Sequence, residues 1–131
     1  MLHPPEKFVD IREYISDMPS VMARADLVLS RAGASTIAEL TAIGKPAVLV
    51  PSPYVTNNHQ EENAKQLQKA GGAVMLQEKE CTGKILYETV SSLIADKDKL
   101  KRMSNAQKSL AALNAAEKIV EIILENVKCK V

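Results

Sequence analysis

Short apolar runs separated by segments of helical period constrain the fold of this chain most strongly. Three of these apolar runs are too short for helices: Leu27–Ser30, Pro46–Val50 and Ala73–Gln77. Largely apolar runs of this length are typical of parallel strands buried on both faces. Alternation of apolar and polar residues at Val9–Ile15 predicts a further strand. Because helical segments lie between these runs, we expect an α/β domain: a Rossmann-like parallel sheet of about four strands with helices on both faces.

The helical segments begin and end at recognisable signals. Asp17 is a suitable cap for a helix that has Pro19 in its first turn. Gly44 follows the next helical segment directly, as a terminating glycine does. The chain after the last strand has only helical patterns and predicts a helical tail. The predicted helices are Asp17–Ala25, Thr36–Ile43, Asn58–Ala70, Lys84–Ala95, Lys97–Leu110 and Ala112–Lys128.

The last predicted helix carries a single apolar stripe, with Glu117, Lys118 and Glu121 on its other face. Two interpretations of the stripe remain open. It packs on the sheet, which is the commoner arrangement, or part of it docks on a domain outside this chain. The stripe consists of Ala112, Ala116, Ile119, Val120, Ile123 and Val127.

Composition excludes several classes of function. The 17 Lys+Arg and 16 Asp+Glu residues leave a net charge of +1, so there is no basic excess of the kind that binds nucleic acid. No apolar run has the length of a membrane span, and the first residues do not form a signal peptide. Cys81 and Cys129 are far apart and indicate free thiols in a reducing cytosol. We therefore expect a cytoplasmic chain with no metal, no cofactor and no catalytic residue of its own.

Ligands of open α/β sheets bind beyond the carboxyl ends of the strands, and the segment Ser30–Thr36 lies there. It leads from a predicted strand into a helix through the small residues Gly33, Ala34 and Ser35. Small residues let the backbone approach a ligand closely, and a helix N-terminus offers free N–H groups to an anion such as a diphosphate. The segment matches neither a Walker loop nor the G-x-G-x-x-G pattern, so its composition alone is weakly specific.

Glu39, three residues after Thr36, has two interpretations. In a capping box, Thr36 caps the helix and Glu39 reaches back to the backbone of Thr36. Alternatively, the Glu39 carboxylate accepts hydrogen bonds from a ribose diol, a role that acidic residues take in nucleotide-binding α/β domains.

The helix after Pro51 begins with polar residues on the face that later carries Ala64 and Leu67. These polar residues are Gln60 and Asn63, with His59 one turn before Asn63. Buried amides need hydrogen-bond partners, and a hydroxyl-rich sugar would supply them. The alternative is an exposed, solvated first turn without function. His59 has no second metal ligand at suitable spacing, so we expect no metal there.

Four segments in this order resemble the carboxyl-terminal half of the MurG family: Glu13–Pro19, Ala25–Leu40, Gly44–Pro53 and Asn57–Ala64. S-R-A-G-A-x-T-x-x-E together with H-Q-x-x-N-A is a specific combination. The resemblance covers essentially the whole chain. It implies a truncated C-terminal domain of a GT-B glycosyltransferase of family 28. Its members are peripheral proteins of the cytoplasmic membrane face that transfer N-acetylglucosamine from UDP to lipid-linked muramoyl-pentapeptide, converting lipid I to lipid II in peptidoglycan synthesis.

The resemblance also implies roles for single residues. Ile15 would contact uracil, with Tyr14 and Met18 beside it. Glu39 would bind the ribose hydroxyls, and the amides at the start of the helix would bind the diphosphate and the sugar. His59 stands where some relatives carry another amide. The implied UDP-N-acetylglucosamine site consists of Tyr14, Ile15, Met18, Ser30, Gly33, Ala34, Ser35, Thr36, Glu39, His59, Gln60 and Asn63.

The chain, residues 1–131, differs from full-length members of the family because it matches only their carboxyl-terminal part. This chain holds a donor-binding domain, but neither the amino-terminal acceptor domain nor the G-G-S-x-G turn of the family. We expect no transfer by the chain alone, contact with the lipid-linked acceptor only through the missing domain, and self-association through an open sheet edge and apolar helix surface. Two alternatives remain: a stand-alone donor-binding subunit of a two-component transferase, and a folded domain that binds nothing.

Overall fold

The computed structural model describes residues 9–53 and 59–129, with side chains up to residue 125. Within these residues, the sheet has three parallel strands in the order β1 (Val28–Ser30), β2 (Ala47–Leu49), β3 (Ala73–Met75). Val28 lies opposite Ala47, and Ala47 lies opposite Ala73. The three apolar runs predicted to be strands are therefore confirmed as the centre of the fold.

The fourth predicted strand, Val9–Ile15, is wrong, because this segment forms no strand. Ile11 is 89% exposed and Tyr14 is 81% exposed, so no sheet face covers them. A strand needs a neighbour to accept its backbone hydrogen bonds, and alternation of side chains does not supply one.

The predicted helices are confirmed in number and place up to residue 95. They are α1 (Met18–Arg24), α2 (Ala34–Ile43), α3 (His59–Ala70) and α4 (Gly83–Ala95), with a 3₁₀ turn at Glu78–Glu80 before α4. The two predicted tail helices are instead one helix, α5, at Lys97–Cys129. Because this segment contains neither Gly nor Pro, nothing in its backbone interrupts the helix.

The hydrophobic core lies on both faces of the sheet, as predicted. Ala47 and Leu49 of β2 pack with Leu40 of α2 and Leu67 of α3 on one face. Val48, which points to the other face, packs with residues of α4 and α5. Since both faces are covered, β2 is fully buried and fixes the three strand ends relative to each other.

Polar contacts from α5 close the amino ends of the strands. The Gln107 side chain, 1% exposed, donates from Nε2 to the carbonyl oxygens of Lys45 (2.7 Å) and Gly72 (3.0 Å). Ser104 Oγ donates to the carbonyl of Gly44 at 2.6 Å. Because two carbonyls fix the orientation of the amide, Gln107 Oε1 has no partner in the described residues. These contacts anchor the first half of α5 to the turns that precede β2 and β3.

The second half of α5 lies away from the core, because every residue from Ala112 to Glu125 is exposed. Packing of this stripe on the sheet, one of the two interpretations above, is therefore wrong for its members from Ala112 to Ile123, whereas the side chain of Val127 lies outside the described residues. The face of α5 that meets the domain carries Met103, Gln107 and Leu110. One turn further, this face carries polar residues such as Asn114 and Glu117. The apolar stripe therefore lies on a different side of α5 from the face that packs on the domain. No helix in the described part is long and apolar enough to cross a bilayer.

Candidate functional site

The carboxyl ends of the three strands meet at one edge of the sheet. The N–H of Val50, just after β2, donates to the carbonyl of Ser30 at the end of β1 (2.9 Å). The N–H of Leu76, just after β3, donates to the carbonyl of Leu49 at 2.9 Å. The segments that follow the strands therefore start side by side, as expected for a ligand site of an open α/β sheet.

Helix α2 begins at this edge without a capping side chain. Its N-cap is Gly33, in extended conformation (φ −67°, ψ 152°), and no side chain of the described residues caps it. The first helical hydrogen bond runs from Ile37 N–H to the Gly33 carbonyl (3.0 Å). Ala34 and Ser35 are exposed and Thr36 is half-buried. The N–H groups of this first turn therefore point out of the helix with no intrahelical acceptor.

The capping-box interpretation of Thr36 and Glu39 is wrong. Thr36 lies inside the helix, because Gly33 is the N-cap. Glu39 is half-buried, and within the described residues its carboxylate makes no hydrogen bond or ion pair. The carboxylate is therefore free to accept hydrogen bonds from a ligand. Ser30, also half-buried, instead uses its hydroxyl to donate to the Arg31 carbonyl (3.0 Å).

The first turn of α3 packs beside the β1–α2 loop. Asn63 Nδ2 donates to the carbonyl of Ala32 at 3.4 Å. Gln60 Oε1 accepts the N–H of Ser52 at 2.8 Å, and Gln60 Nε2 lies 4.0 Å from the position of a Cβ on Gly33. Both amides are half-buried, whereas His59 is exposed. The chain therefore supplies one partner to each amide, and within the described residues the Asn63 oxygen and the Gln60 nitrogen keep unused capacity.

Of the three residues assigned to uracil, Tyr14 and Ile15 precede α1 and Met18 begins it. Tyr14 is 81% exposed and Met18 is 41% exposed; Ile15 is half-buried and lines a shallow groove with Val21 and Arg24. No hydrogen bond joins Tyr14, Ile15 or Met18 to α2 or α3 in the described part. Helix α1 packs on α2, so these two helices connect the groove to the site.

Sequence reasoning missed several polar residues at the same edge. Arg31 Nη2 pairs with Glu78 Oε1 at 2.5 Å, and Gln77 Nε2 donates to Glu61 Oε1 at 3.0 Å. Glu61, Gln77 and Glu78 line a cavity with Ser52. Gln77 and Glu78 follow β3 (Ala73–Met75) closely, but the predicted strand included Gln77, so only the position of Glu78 directly after that strand was an available signal.

Glu61 is the titratable group of this edge with a shifted pKa. The hydrogen bond from Gln77, and then the hydrogen bond and charge of Lys65, hold the pKa of the Glu61 carboxyl below its ordinary value. Glu61 is therefore ionised at neutral pH. In the part of the chain that the structure describes, no three His, Cys, Asp or Glu side chains are grouped to hold a metal ion.

Together these groups offer N–H donors at the start of α2, amides on α3 and a free carboxylate at Glu39. This set suits a ligand that carries both an anion and hydroxyl groups. Residues 4–121 match the family model of the glycosyltransferase family 28 C-terminal domain. The chain belongs to this family.

Individual relatives agree with membership of family 28. The chain is 49% identical over 122 residues to the UDP-N-acetylglucosamine--N-acetylmuramyl-(pentapeptide) pyrophosphoryl-undecaprenol N-acetylglucosamine transferase of Acetivibrio thermocellus, covering 93% of this chain and 33% of that protein. It is 48% identical over 120 residues to the corresponding transferase 1 of Bacillus cereus, covering 92% of this chain and 33% of the relative.

A solved structure of family 28 has the same fold. The crystal structure of Acinetobacter baumannii MurG superposes with a TM-score of 0.75 at 32% identity, over 88% of this chain and 35% of that one. The predicted α/β architecture and the resemblance to the carboxyl-terminal half of MurG are thereby confirmed. The chain spans about a third of the length of the curated relatives it matches.

Proposed function

We propose that this chain is the UDP-N-acetylglucosamine-binding portion of a transferase that converts lipid I to lipid II. The observation that supports this most is the uncapped start of α2 beside a free carboxylate, Glu39, at the carboxyl edge of the sheet. The relatives of the same family 28 domain are named as N-acetylglucosamine transferases. A nucleotide sugar carries the diphosphate, ribose diol and sugar hydroxyls that these groups match.

The proposed binding mode follows the order of the ligand's parts. The diphosphate lies at the first turn of α2, where the backbone N–H groups of Ala34, Ser35 and Thr36 and the positive end of the helix dipole favour an anion. The ribose diol donates to Glu39. Gln60 and Asn63 use their remaining nitrogen and oxygen on the N-acetylglucosamine hydroxyls, with exposed His59 at the rim.

Uracil takes the remaining position, beside α1. The groove at Ile15 and the exposed side chains of Tyr14 and Met18 offer apolar surface for a planar base. Because α1 packs on α2, a base at this groove and a ribose at Glu39 lie on connected elements. Ser30 and Gly33 shape the loop between them without a direct role in hydrogen bonding to the base.

Transfer needs an acceptor site that faces the donor, because positioning the two reactants contributes much of the rate. We place that site, and the lipid-linked acceptor, on another part of the enzyme at the cytoplasmic face of the membrane. The exposed apolar stripe of α5, with Ile119, Val120 and Ile123, is the surface on which the remainder of the transferase packs. In the isolated chain the same stripe promotes self-association, together with the outer edge of β1, which pairs with no further strand of the described residues.

Titration calorimetry of the chain with UDP-N-acetylglucosamine tests the proposal, with UDP, CDP and uridine as matched ligands. We expect saturable binding of UDP-N-acetylglucosamine, weaker binding of uridine because it lacks the diphosphate, and weaker binding of CDP because its base differs. Equal affinity for CDP and UDP, or no saturable heat with UDP-N-acetylglucosamine, would remove the donor-binding function from this chain.

A further inference from the structure

One ion pair connects the carboxyl ends of all three strands. Arg31 follows β1 directly, and its guanidinium pairs through Nη2 with Glu78, which lies three residues after β3. The other terminal nitrogen, Nη1, donates to the carbonyl of Val50, directly after β2, at 3.4 Å. A single side chain therefore sets the spacing between the β1–α2 loop and the ends of its two neighbouring strands.

The loop that Arg31 begins is held from two sides. On the α4 side, the Arg31 side chain lines a small apolar cavity with Leu29 and Leu86. On the α3 side, Asn63 Nδ2 donates to the carbonyl of Ala32. The next residue, Gly33, is the N-cap of α2. The hydrogen bonds of Arg31 and the hydrogen bond to the Ala32 carbonyl therefore hold the two residues that directly precede Gly33.

The ion pair is not placed to stabilise the fold strongly. The side chains of Arg31 and Glu78 are 51% and 31% exposed, and pairs in such surroundings contribute little to the free energy of unfolding. The pair instead fixes the relative orientation of the two side chains, because a planar guanidinium holds a carboxylate in a fixed direction. The charge of Arg31 is at the same time neutralised by Glu78.

We propose that Arg31 and Glu78 are a positioning pair that orients Gly33 and the first N–H groups of α2 for the diphosphate of the nucleotide sugar. The inference rests on the proposed function. Arg31 acts through the β1–α2 loop and does not contact the ligand. Glu78 is as necessary as Arg31, because the pair needs both side chains. Anion binding by backbone N–H groups depends on their alignment before the ligand arrives, because no side chain can readjust to compensate.

The test measures affinities of UDP and uridine for Arg31→Ala, Glu78→Ala and the double variant. We expect each single variant to weaken UDP binding by about three- to fivefold, the factor that the upper range for a half-exposed ion pair gives. The double variant should lose no more than either single one, and uridine affinity should not change. Lys65→Ala is the matched control: its side chain is 53% exposed and pairs with Glu61 at 3.2 Å, and its UDP affinity should stay unchanged.

Three results overturn the inference. A loss in Arg31→Ala without a loss in Glu78→Ala means that Arg31 contacts the phosphates directly. Additive losses in the double variant mean that the two residues act separately. Equal losses for UDP and uridine mean a general disturbance of the fold.

Hydrogen exchange gives a second measurement that needs no ligand. The N–H of Ile37, bonded to the Gly33 carbonyl, should exchange faster in both alanine variants than in Lys65→Ala, and unchanged exchange contradicts the inference. If the unaltered chain binds no UDP, the proposed function fails, and this exchange rate alone decides whether the pair positions the loop.

Discussion

The two edges of the sheet differ in how their polar groups are satisfied. At the amino edge, Gln107 and Ser104 of α5 donate to the carbonyls of the turns that lead into β2 and β3. At the carboxyl edge, Glu39 and the first N–H groups of α2 have no partner in the described residues. The first edge fixes the fold, and the second keeps donors and acceptors for a ligand. Stability and binding should therefore respond to different substitutions.

The largest expected effect is on the amino edge. Gln107→Ala removes both hydrogen bonds, leaves the buried Gly72 carbonyl and the part-buried Lys45 carbonyl without this donor, and opens a cavity, so we expect the free energy of unfolding to fall by about 2–4 kcal/mol. Urea denaturation measures this, with exposed Asn105→Ala on the same helix as control. The folded variant should still bind UDP normally. A loss below about 1 kcal/mol would show that Gln107 does not close this edge.

Glu39→Gln tests the carboxyl edge. A carboxylate only accepts hydrogen bonds, whereas an amide must turn one donor toward the ribose hydroxyls. We expect UDP binding to weaken by about 1.5–3 kcal/mol, the range for hydrogen bonds to charged groups, with nearly unchanged melting temperature. Calorimetry should give a smaller loss for 2′,3′-dideoxy-UDP, which has no diol. Equal losses for both nucleotides would remove Glu39 from the ribose site. A large drop in melting temperature would show that Glu39 stabilises the fold, against the proposed division between the two edges.

The smallest expected effect concerns Glu61, which has a satisfied carboxylate at the otherwise open edge. Its folded pKa lies below the ordinary value of 4.5, so the carboxylate favours the folded state at higher pH. This contribution is complete above the unfolded pKa and is lost as the pH falls below 4.5 through the folded value. Glu61→Gln should therefore show a slightly shallower fall in melting temperature between pH 5 and pH 3. Identical slopes in the two proteins would contradict the assignment.

The sequence predicted the elements that local patterns determine. The runs at β1, β2 and β3 were recognisable as short apolar runs, the pattern of parallel strands, although only β2 is buried throughout and Leu29 of β1 is 47% exposed. The start of α2 was missed by two residues, because T-x-x-E at Thr36–Glu39 resembles a capping box, while the structure uses Gly33 as N-cap. Short capping patterns identify a helix start only when the preceding backbone agrees.

The remaining differences depend on contacts between distant residues. Val9–Ile15 alternates as a strand does but has no neighbouring strand. Arg31 and Glu78 are 47 positions apart, and no local pattern joins them. The amphipathic pattern near the end of α5 correctly predicted a helix, but not which side of it meets the domain, because that depends on the face that Met103 and Gln107 have already fixed.

The continuity of α5 has a mechanical consequence. Its first half is hydrogen-bonded to the turns before β2 and β3, Asn114 and Lys118 still line a groove beside α2, and the helix runs on to residue 125, about 27 Å from Gln107. A helix without Gly or Pro behaves as a stiff lever over this length. Rotation of its base by about 5° displaces the tip by about 2 Å, a movement as large as many loop closures. A partner bound to the tip of α5 therefore shifts with the orientation of the sheet. Force applied at the tip is transmitted to the hydrogen bonds of Gln107.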